Sequence, residues 1–290
     1  MSAIRSISDD CRQMTTIDVD CDLNYEVGEP SCFVFSVAPA VTDRQTVTEE
    51  SLVVYPAETA YEWLELGEPG YRSVRLRAEP TELRLRYQAS VVLRPEIDEP
   101  PQLDEVEHKA LPVEVLPYLN PSRYCEADRL VRFADKEFGH LASGYSRVDA
   151  ICDWVHSHID YVAGSTDAST SACDVLTHRA GVCRDFAHVA IALVRSLGIP
   201  ARYVSGYAVE LEPPDFHGFF EAYLGQAWYL FDATRMAPVG GLVRIGVGRD
   251  AAEASFATIV GQAVLTSLNV SATERPTTSL PDSGLAVSTA

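Results

Sequence analysis

GVCRDFAHVAIALVRSLGIPARYVSGY, residues 181–207, decides how this chain folds. Cys183 opens an apolar segment that closes at Gly198-Ile199-Pro200. Ala187, Ala190, Val194 and Leu197 recur at spacings of three and four, which predicts a helix with one shared face. Gly198 stands where a helix-ending glycine would, and Pro200 forbids continuation. Ala201 to Val209 then reads as a strand. A side chain in the first turn of a helix feels unpaired backbone N–H groups and the positive end of the helix dipole. Both favour an anion, a thiolate among them. The same N–H groups can hold a developing oxyanion.

Downstream lie His217 to Leu224 and Ala227 to Asp232, two strands flanking a turn at Gly225. With a Leu224-Gly225 loop, His217 and Asp232 oppose each other directly. With a Gly225-Gln226 loop they are diagonal neighbours on the same face. Either register supports a carboxylate–imidazole pair, whereas a three-residue loop would put the two on opposite faces; Cys183 supplies the nucleophile that such a pair would serve. Taken alone, His217 could equally be a satisfied surface histidine, and Asp232 a turn former before Ala233-Thr234. The three together point to acyl-transfer chemistry. His188 and Asp185 read as packing and capping residues. No metal is expected. His156 and His158 fall on different helix faces, and Cys173 and Cys183 lack a second ligand pair. No cofactor is expected either.

Working towards the N-terminus, helical patterns cover about 126–140 and a segment with Val148, Ile151, Cys152, Val155 and Ile159 on one face. A short helix is expected to start at Ser171, with Asp174 as its capping-box partner. A last strand is expected over Leu242 to Val247. Residues from about 15 to 95 alternate at period two and are punctuated by Gly and Pro, which predicts a small antiparallel β-sandwich. It shows no catalytic constellation, so its expected role is to tune access or partner choice. The stretch from Pro95 to Pro112 is proline-bearing and acidic, and reads as a linker between separately folding parts. The expected boundaries are a sandwich at 1–98, a linker at 99–112, a catalytic domain at 113–272 and a mobile tail at 273–290.

The chain has 290 residues, 47% of them hydrophobic, and a formal net charge of −19. Residues 1–70 hold fourteen Asp or Glu against three Arg. A phosphate-binding role needs a basic footprint, so nucleic acid is excluded as a partner. No run of eighteen or more apolar residues is present, and the stretch from Met1 to Asp10 lacks the pattern of a secretory leader. Seven cysteines without a pairing pattern suit a reducing compartment. The cytoplasm is therefore the expected location, with no membrane partner. The oligomeric state is not legible.

The segment from Gly181 to Tyr207, with His217 in a strand and then Phe231-Asp232-Ala233-Thr234, resembles the bacterial transglutaminase-like superfamily, a group of candidate cysteine proteases. The likeness extends to Tyr118-Leu119-Asn120-Pro121-Ser122 and to Gly246-Val247-Gly248-Arg249-Asp250, and the acidic first part looks like the N-terminal β-region of such proteins. The resemblance implies an α+β protein with a papain-like core, Cys183 as nucleophile, His217 as base and acid, and Asp232 as orienter. Two positions depart from the family pattern. Gly218-Phe219 stands where Ala-Trp is usual after the histidine, and Ala233 where Pro usually follows the aspartate. The implied activity is thiol-dependent amide chemistry on a peptide or amide substrate, through a thioester, with hydrolysis favoured over acyl transfer. Tyr161 is a guess for the second oxyanion donor. The rival reading is a non-catalytic interaction protein that keeps the core as a scaffold.

Overall fold

Residues 14–276, 280 and 284–290 are described by the structure, a computed structural model. Met1 to Asp10, read above for a leader, lies outside the described residues, as do positions 277–279 and 281–283 of the expected tail. The chain opens with β1 (Thr15–Val27), β2 (Ser31–Phe35), β3 (Gln45–Tyr55), β4 (Tyr61–Glu65), β5 (Arg72–Ala78) and β6 (Thr81–Leu93). Strand β1 shows why they form a sandwich. Ile17, Val19, Cys21, Leu23, Tyr25 and Val27 point into the core, and Asp18, Asp20 and Asp22 point out between them. Each buried apolar side chain contributes about 1.5–3 kcal/mol. On the outer face Asp20 and Asp22 pair with Arg86 and Arg84 of β6.

Four helices follow: α1 (Ala127–Phe138), α2 (Tyr145–His158), α3 (Ala172–His178) and α4 (Cys183–Ser196). Ser171 and Asp174 form the expected capping box at the start of α3. Every residue of α4 from Asp185 to Arg195 is buried, as a helix enclosed on all sides requires. Helices α1, α2 and α3 cover it on one side. The sheet of β7 (Ala201–Ala208), β8 (His217–Leu224), β9 (Ala227–Phe231) and β10 (Leu242–Gly248) covers it on the other, in the order β9-β8-β7-β10 and all antiparallel. The α+β class, with a β-sandwich ahead of helices on an antiparallel sheet, is what the sequence leads one to expect.

The strand pairing departs from the expected boundaries in three places. First, β11 (Ala257–Val260) and β12 (Ala263–Glu274) return to the N-terminal part, pairing with β2 and β1. Both sandwich sheets are thus completed by residues assigned to the catalytic domain. Second, Ala286–Ser288 is a buried strand paired with Glu96–Asp98, so this part of the tail is fixed, on the residues just before the expected linker. The reason is packing: Ala286 and Val287 fill space against the sheet of β7 to β10. Third, the two halves share a core. Tyr207, Val209, Phe216, Val243 and Ile245 of the second half pack among the sandwich residues.

Charge ties the halves together as well. Glu221, fully buried in β8, accepts a hydrogen bond from Arg202 Nε at 2.7 Å and another from Arg244. Arg202 also reaches Glu68 at 3.0 Å, and Arg244 donates to the Tyr71 hydroxyl at 3.1 Å. Gln45 of β3 holds both the N–H and the carbonyl of Arg244. A buried carboxylate between two arginines is stable only while all partners stay in place. Separate folding of the first part does not fit this arrangement. Among the described residues, no helix is long and apolar enough to cross a membrane.

Candidate active site

Cys183 is the first residue of α4. The Asp185 carboxylate accepts the Val182 N–H at 3.0 Å, which fixes the entry of the chain into the helix. Thr166 donates to the same carboxylate at 2.6 Å, and Arg184 holds its other oxygen and the Asp167 carbonyl. Segment 162–170 is thereby pinned over the start of the helix. A two-residue parallel pairing sets Tyr161 beside Gly181: Asp160 N–H donates to Arg179 and Val162 N–H to Gly181, both at 2.9 Å. The Tyr161 ring lies 5.8 Å from that of Phe186 in the first turn of α4, close enough for the Cys183 charge to act on its hydroxyl. Burial, then the charge of Cys183, pushes its pKa up to about 12, so it stays a proton donor at neutral pH.

The hairpin of β8 and β9 takes the Gly225-Gln226 register, with Leu224 opposite Ala227. Gly225 and Gln226 have φ of 54° and 77°, as the tight turn of a right-twisted hairpin requires. His217 and Asp232 are therefore diagonal neighbours. His217 Nε2 lies 2.9 Å from Asp232 Oδ2, and both side chains are buried. Nδ1 is buried without a hydrogen-bond partner, and Cys183 is close enough to act on the ring's ionisation. Cys183 Sγ lies 3.9 Å from the carbonyl of Phe216, the residue before His217.

Four donors converge on the Asp232 carboxylate. Oδ1 accepts the Thr234 N–H and hydroxyl at 2.8 and 2.7 Å; Oδ2 accepts from His217 and from the Ala237 N–H at 3.2 Å. Burial alone would raise the Asp232 pKa, but His217 and Thr234 outweigh it and lower it. Burial likewise disfavours a charged His217, yet Asp232 and then Cys183 push its pKa up to about 10. The carboxylate thus favours the protonated imidazole. Such a ring can stabilise a neighbouring thiolate and deliver a proton from Nδ1.

Cys183, His217 and Asp232 thus converge from α4, β8 and the end of β9. Asp185 caps the helix as expected. His188 is fully buried, stacks on Tyr124 and accepts the Ala251 N–H, far from any role at the thiol. His156 binds the Thr234 carbonyl at 2.9 Å and so steadies the loop that carries Asp232. Among the described residues no group of three or more His, Cys, Asp or Glu could hold a metal ion. Sequence reasoning missed Thr234 and Thr166, whose hydroxyls matter only through folded geometry. It named Gly218 only as a departure from the family pattern and missed its packing role. A side chain there would meet the Tyr203 hydroxyl at 2.6 Å and the backbone of Arg184 at 3.0 Å, so glycine lets α4 approach the histidine strand closely.

Comparison with known proteins places this geometry in context. Residues 132–233 match the transglutaminase-like superfamily, and residues 15–114 match the bacterial transglutaminase N-terminal domain. An uncharacterised protein of Mycobacterium leprae is 30% identical over 242 residues, covering 78% of this chain and 86% of that protein. An uncharacterised protein of Mycobacterium bovis is 47% identical over 60 residues, 21% of this chain and 19% of its own. The crystal structure of a candidate cysteine protease from Cytophaga hutchinsonii is similar with a TM-score of 0.90 and 43% identity. It covers 95% of this chain and 97% of that one.

Proposed function

This chain belongs to the transglutaminase-like superfamily, and from that premise we propose that it is a cysteine hydrolase of peptide or amide bonds acting through Cys183, His217 and Asp232. The observation that carries the reading is the Asp232–His217 hydrogen bond of 2.9 Å, with Nδ1 left unpartnered beside a thiol at a helix start. Cys183 Sγ adds to the carbonyl carbon and a C–S bond forms. The oxyanion rests between the Cys183 N–H and the Tyr161 hydroxyl. On collapse the C–N bond breaks and His217 Nδ1–H gives its proton to the departing amine. Water, losing a proton to Nδ1, then adds to the thioester. The C–S bond breaks, the acid leaves, and thiolate and imidazolium are restored.

Hydrolysis is favoured over transfer to an amine, because transfer needs a tunnel that keeps water from the thioester. The aromatic residues that could wall one are engaged in packing. Phe219 and Phe220 are fully buried, Phe219 with its ring 6.2 Å from that of His217 and Phe220 stacked on Phe231, and Trp228 packs on Arg202 at 4.3 Å. The test is a glutamine-containing peptide library incubated with excess labelled amine and followed by mass. Acid or cleaved products, lost in Cys183→Ala, support hydrolysis. Stable amine adducts would make the protein an acyltransferase, and no Cys183-dependent product at all would refute the enzymatic reading.

A further inference from the structure

A second hollow lies between the two halves of the chain. It holds about 610 Å³, and its walls include Glu68 and Tyr71 from the first half and Tyr118, Arg202, Trp228 and Arg244 from the second. Sites for small molecules commonly span about 300–1,000 Å³. Arg202 and Arg244 are buried, whereas Glu68, Tyr118 and Trp228 are only partly covered, so the hollow opens to solvent past them. Its floor is short of negative charge. The two buried guanidinium groups share one buried carboxylate, Glu221. Arg244 also donates to the hydroxyls of Tyr71 at 3.1 Å and Thr289 at 2.8 Å, yet its Nε is buried with no acceptor among the described residues. An unmet donor on a buried cation costs free energy that an incoming acceptor would recover.

The rim has the opposite sign. Glu68 accepts from Arg202 Nη1 at 3.0 Å and from the Tyr118 hydroxyl at 3.3 Å, and Asp43 and Glu114 are exposed on the same rim. A plain anion would gain at the floor and be repelled at the rim, and a plain cation would meet the reverse. An α-amino acid carries both charges on one carbon. It can set its carboxylate towards the arginines and its ammonium towards the acids, matching the adjacent charges of the Arg202–Glu68 pair. The remaining walls are aromatic. Trp228 meets Tyr118 edge-on with ring centres 5.3 Å apart, and Arg202 lies over the Trp228 ring at 4.3 Å. We propose that this hollow binds a free α-amino acid with an aromatic or large aliphatic side chain, held by Arg202, Arg244 and Glu68. Glu221, which anchors both arginines, stands four residues along β8 from His217, roughly 13 Å at strand spacing. The site is therefore separate from the cleft at Cys183 and does not rest on the reading of that cleft.

The test titrates L-phenylalanine and L-leucine into the full chain, beside 3-phenylpropionate, which lacks the ammonium, and phenethylamine, which lacks the carboxylate. Binding is read from the rise in Tm and from tryptophan fluorescence. Either amino acid should raise the Tm saturably. Phenylalanine should bind about three- to tenfold more tightly than 3-phenylpropionate and at least about tenfold more tightly than phenethylamine, because water screens the rim acids and not the buried arginines. Trp228→Phe should remove the fluorescence change, since Trp63 and Trp154 do not line the hollow. Glu68→Gln takes away the ammonium's partner and should bring phenylalanine down to the affinity of 3-phenylpropionate. Should Glu68→Gln not fold, the order of the three phenyl compounds and the Trp228→Phe result decide alone. No saturable shift with either amino acid up to about 10 mM overturns the inference. So does 3-phenylpropionate or phenethylamine binding as tightly as phenylalanine, a fluorescence change that persists in Trp228→Phe, or an unaltered affinity for phenylalanine in folded Glu68→Gln. None of these outcomes bears on the role of Cys183.

Discussion

Asp232→Asn isolates what the carboxylate does for His217. The site presents only donors: two from Thr234, one from His217 and one from Ala237. A carboxylate can accept from all four. An asparagine must turn its NH2 towards one of the two pairs, so at least one hydrogen bond to a buried group is lost. With the negative charge gone, burial acts on His217 unopposed by Asp232, and its pKa should fall from about 10 to its ordinary value of 6.5 or below. A fall of about three pH units corresponds to several kcal/mol of lost preference for the imidazolium. The expected loss in kcat/KM, or in the rate of Cys183 labelling, is about a hundredfold to ten-thousandfold. The basic limb of the pH profile should move from near 10 to below 7. Stability should follow the same groups. His217 has its pKa raised on folding, so its contribution is full below 6.5 and is lost as pH rises through about 10. Asp232 has its pKa lowered, so its contribution is present above 3.8 and is lost as pH falls through the folded value. Denaturation of both proteins across pH should therefore show the largest difference between these limits. A variant whose basic limb stays near 10, or whose rate falls less than tenfold, would refute the reasoning.

Under limiting iodoacetamide Cys183 should label well ahead of Cys125 and Cys152, whose buried thiols have raised pKa values, and His217→Ala should slow it; equal labelling of these thiols in the folded protein would count against an activated nucleophile. A chain starting at Ala110 should fail to fold or should leave Cys183 inert, because Phe216 and Tyr207 lose their sandwich partners; circular dichroism and labelling decide it. Glu221→Gln should lower the urea midpoint by the equivalent of about 3–5 kcal/mol, since Arg244 then lies buried without a carboxylate and Arg202 keeps only Glu68. Gly218→Ala should reduce kcat at least tenfold with little change in KM, as the start of α4 is pushed from His217, and adding Tyr203→Phe should restore part of the loss; absence of that rescue would mean that the Tyr203 hydroxyl is not the obstacle.

How much of this was legible in the sequence depended on how local the cause was. The limits of α4 could be read from the apolar spacing, Gly198 and Pro200, because helix formation and termination depend on near neighbours. The pairing of His217 with Asp232 was legible as a choice of two registers, since both candidate turns contain Gly225. What selects between them is backbone conformation, positive φ at both Gly225 and Gln226, which no side chain announces. The return of β11 and β12 to the sandwich left no local mark. Their partners lie more than two hundred residues away, and the Ser and Thr of β12 read as loop composition although they line the outer face of a strand. One signal was available and not used: Glu221 stands in Phe219-Phe220-Glu221-Ala222-Tyr223, a charge within an apolar strand, which calls for a buried partner.

These long-range pairings change what the first part of the chain is for. Phe216 lies between the two functions. Its ring stacks on Phe256 and packs against Tyr207 within the sandwich core, and its carbonyl is the group facing the Cys183 thiol. The residues on either side are Asp215 and His217. The position of the histidine along β8 is therefore set from below by sandwich packing, and from above by the close approach of α4 at Gly218. A small shift of the sandwich against the catalytic sheet would be transmitted to the imidazole through one peptide unit. Arg244, held by Gln45 and by the Tyr71 hydroxyl, and Arg202, held by Glu68, oppose such a shift, because sliding would break these bonds across the two halves. The sandwich supplies no residue of the proposed triad, yet it fixes the register in which Cys183, His217 and Asp232 meet.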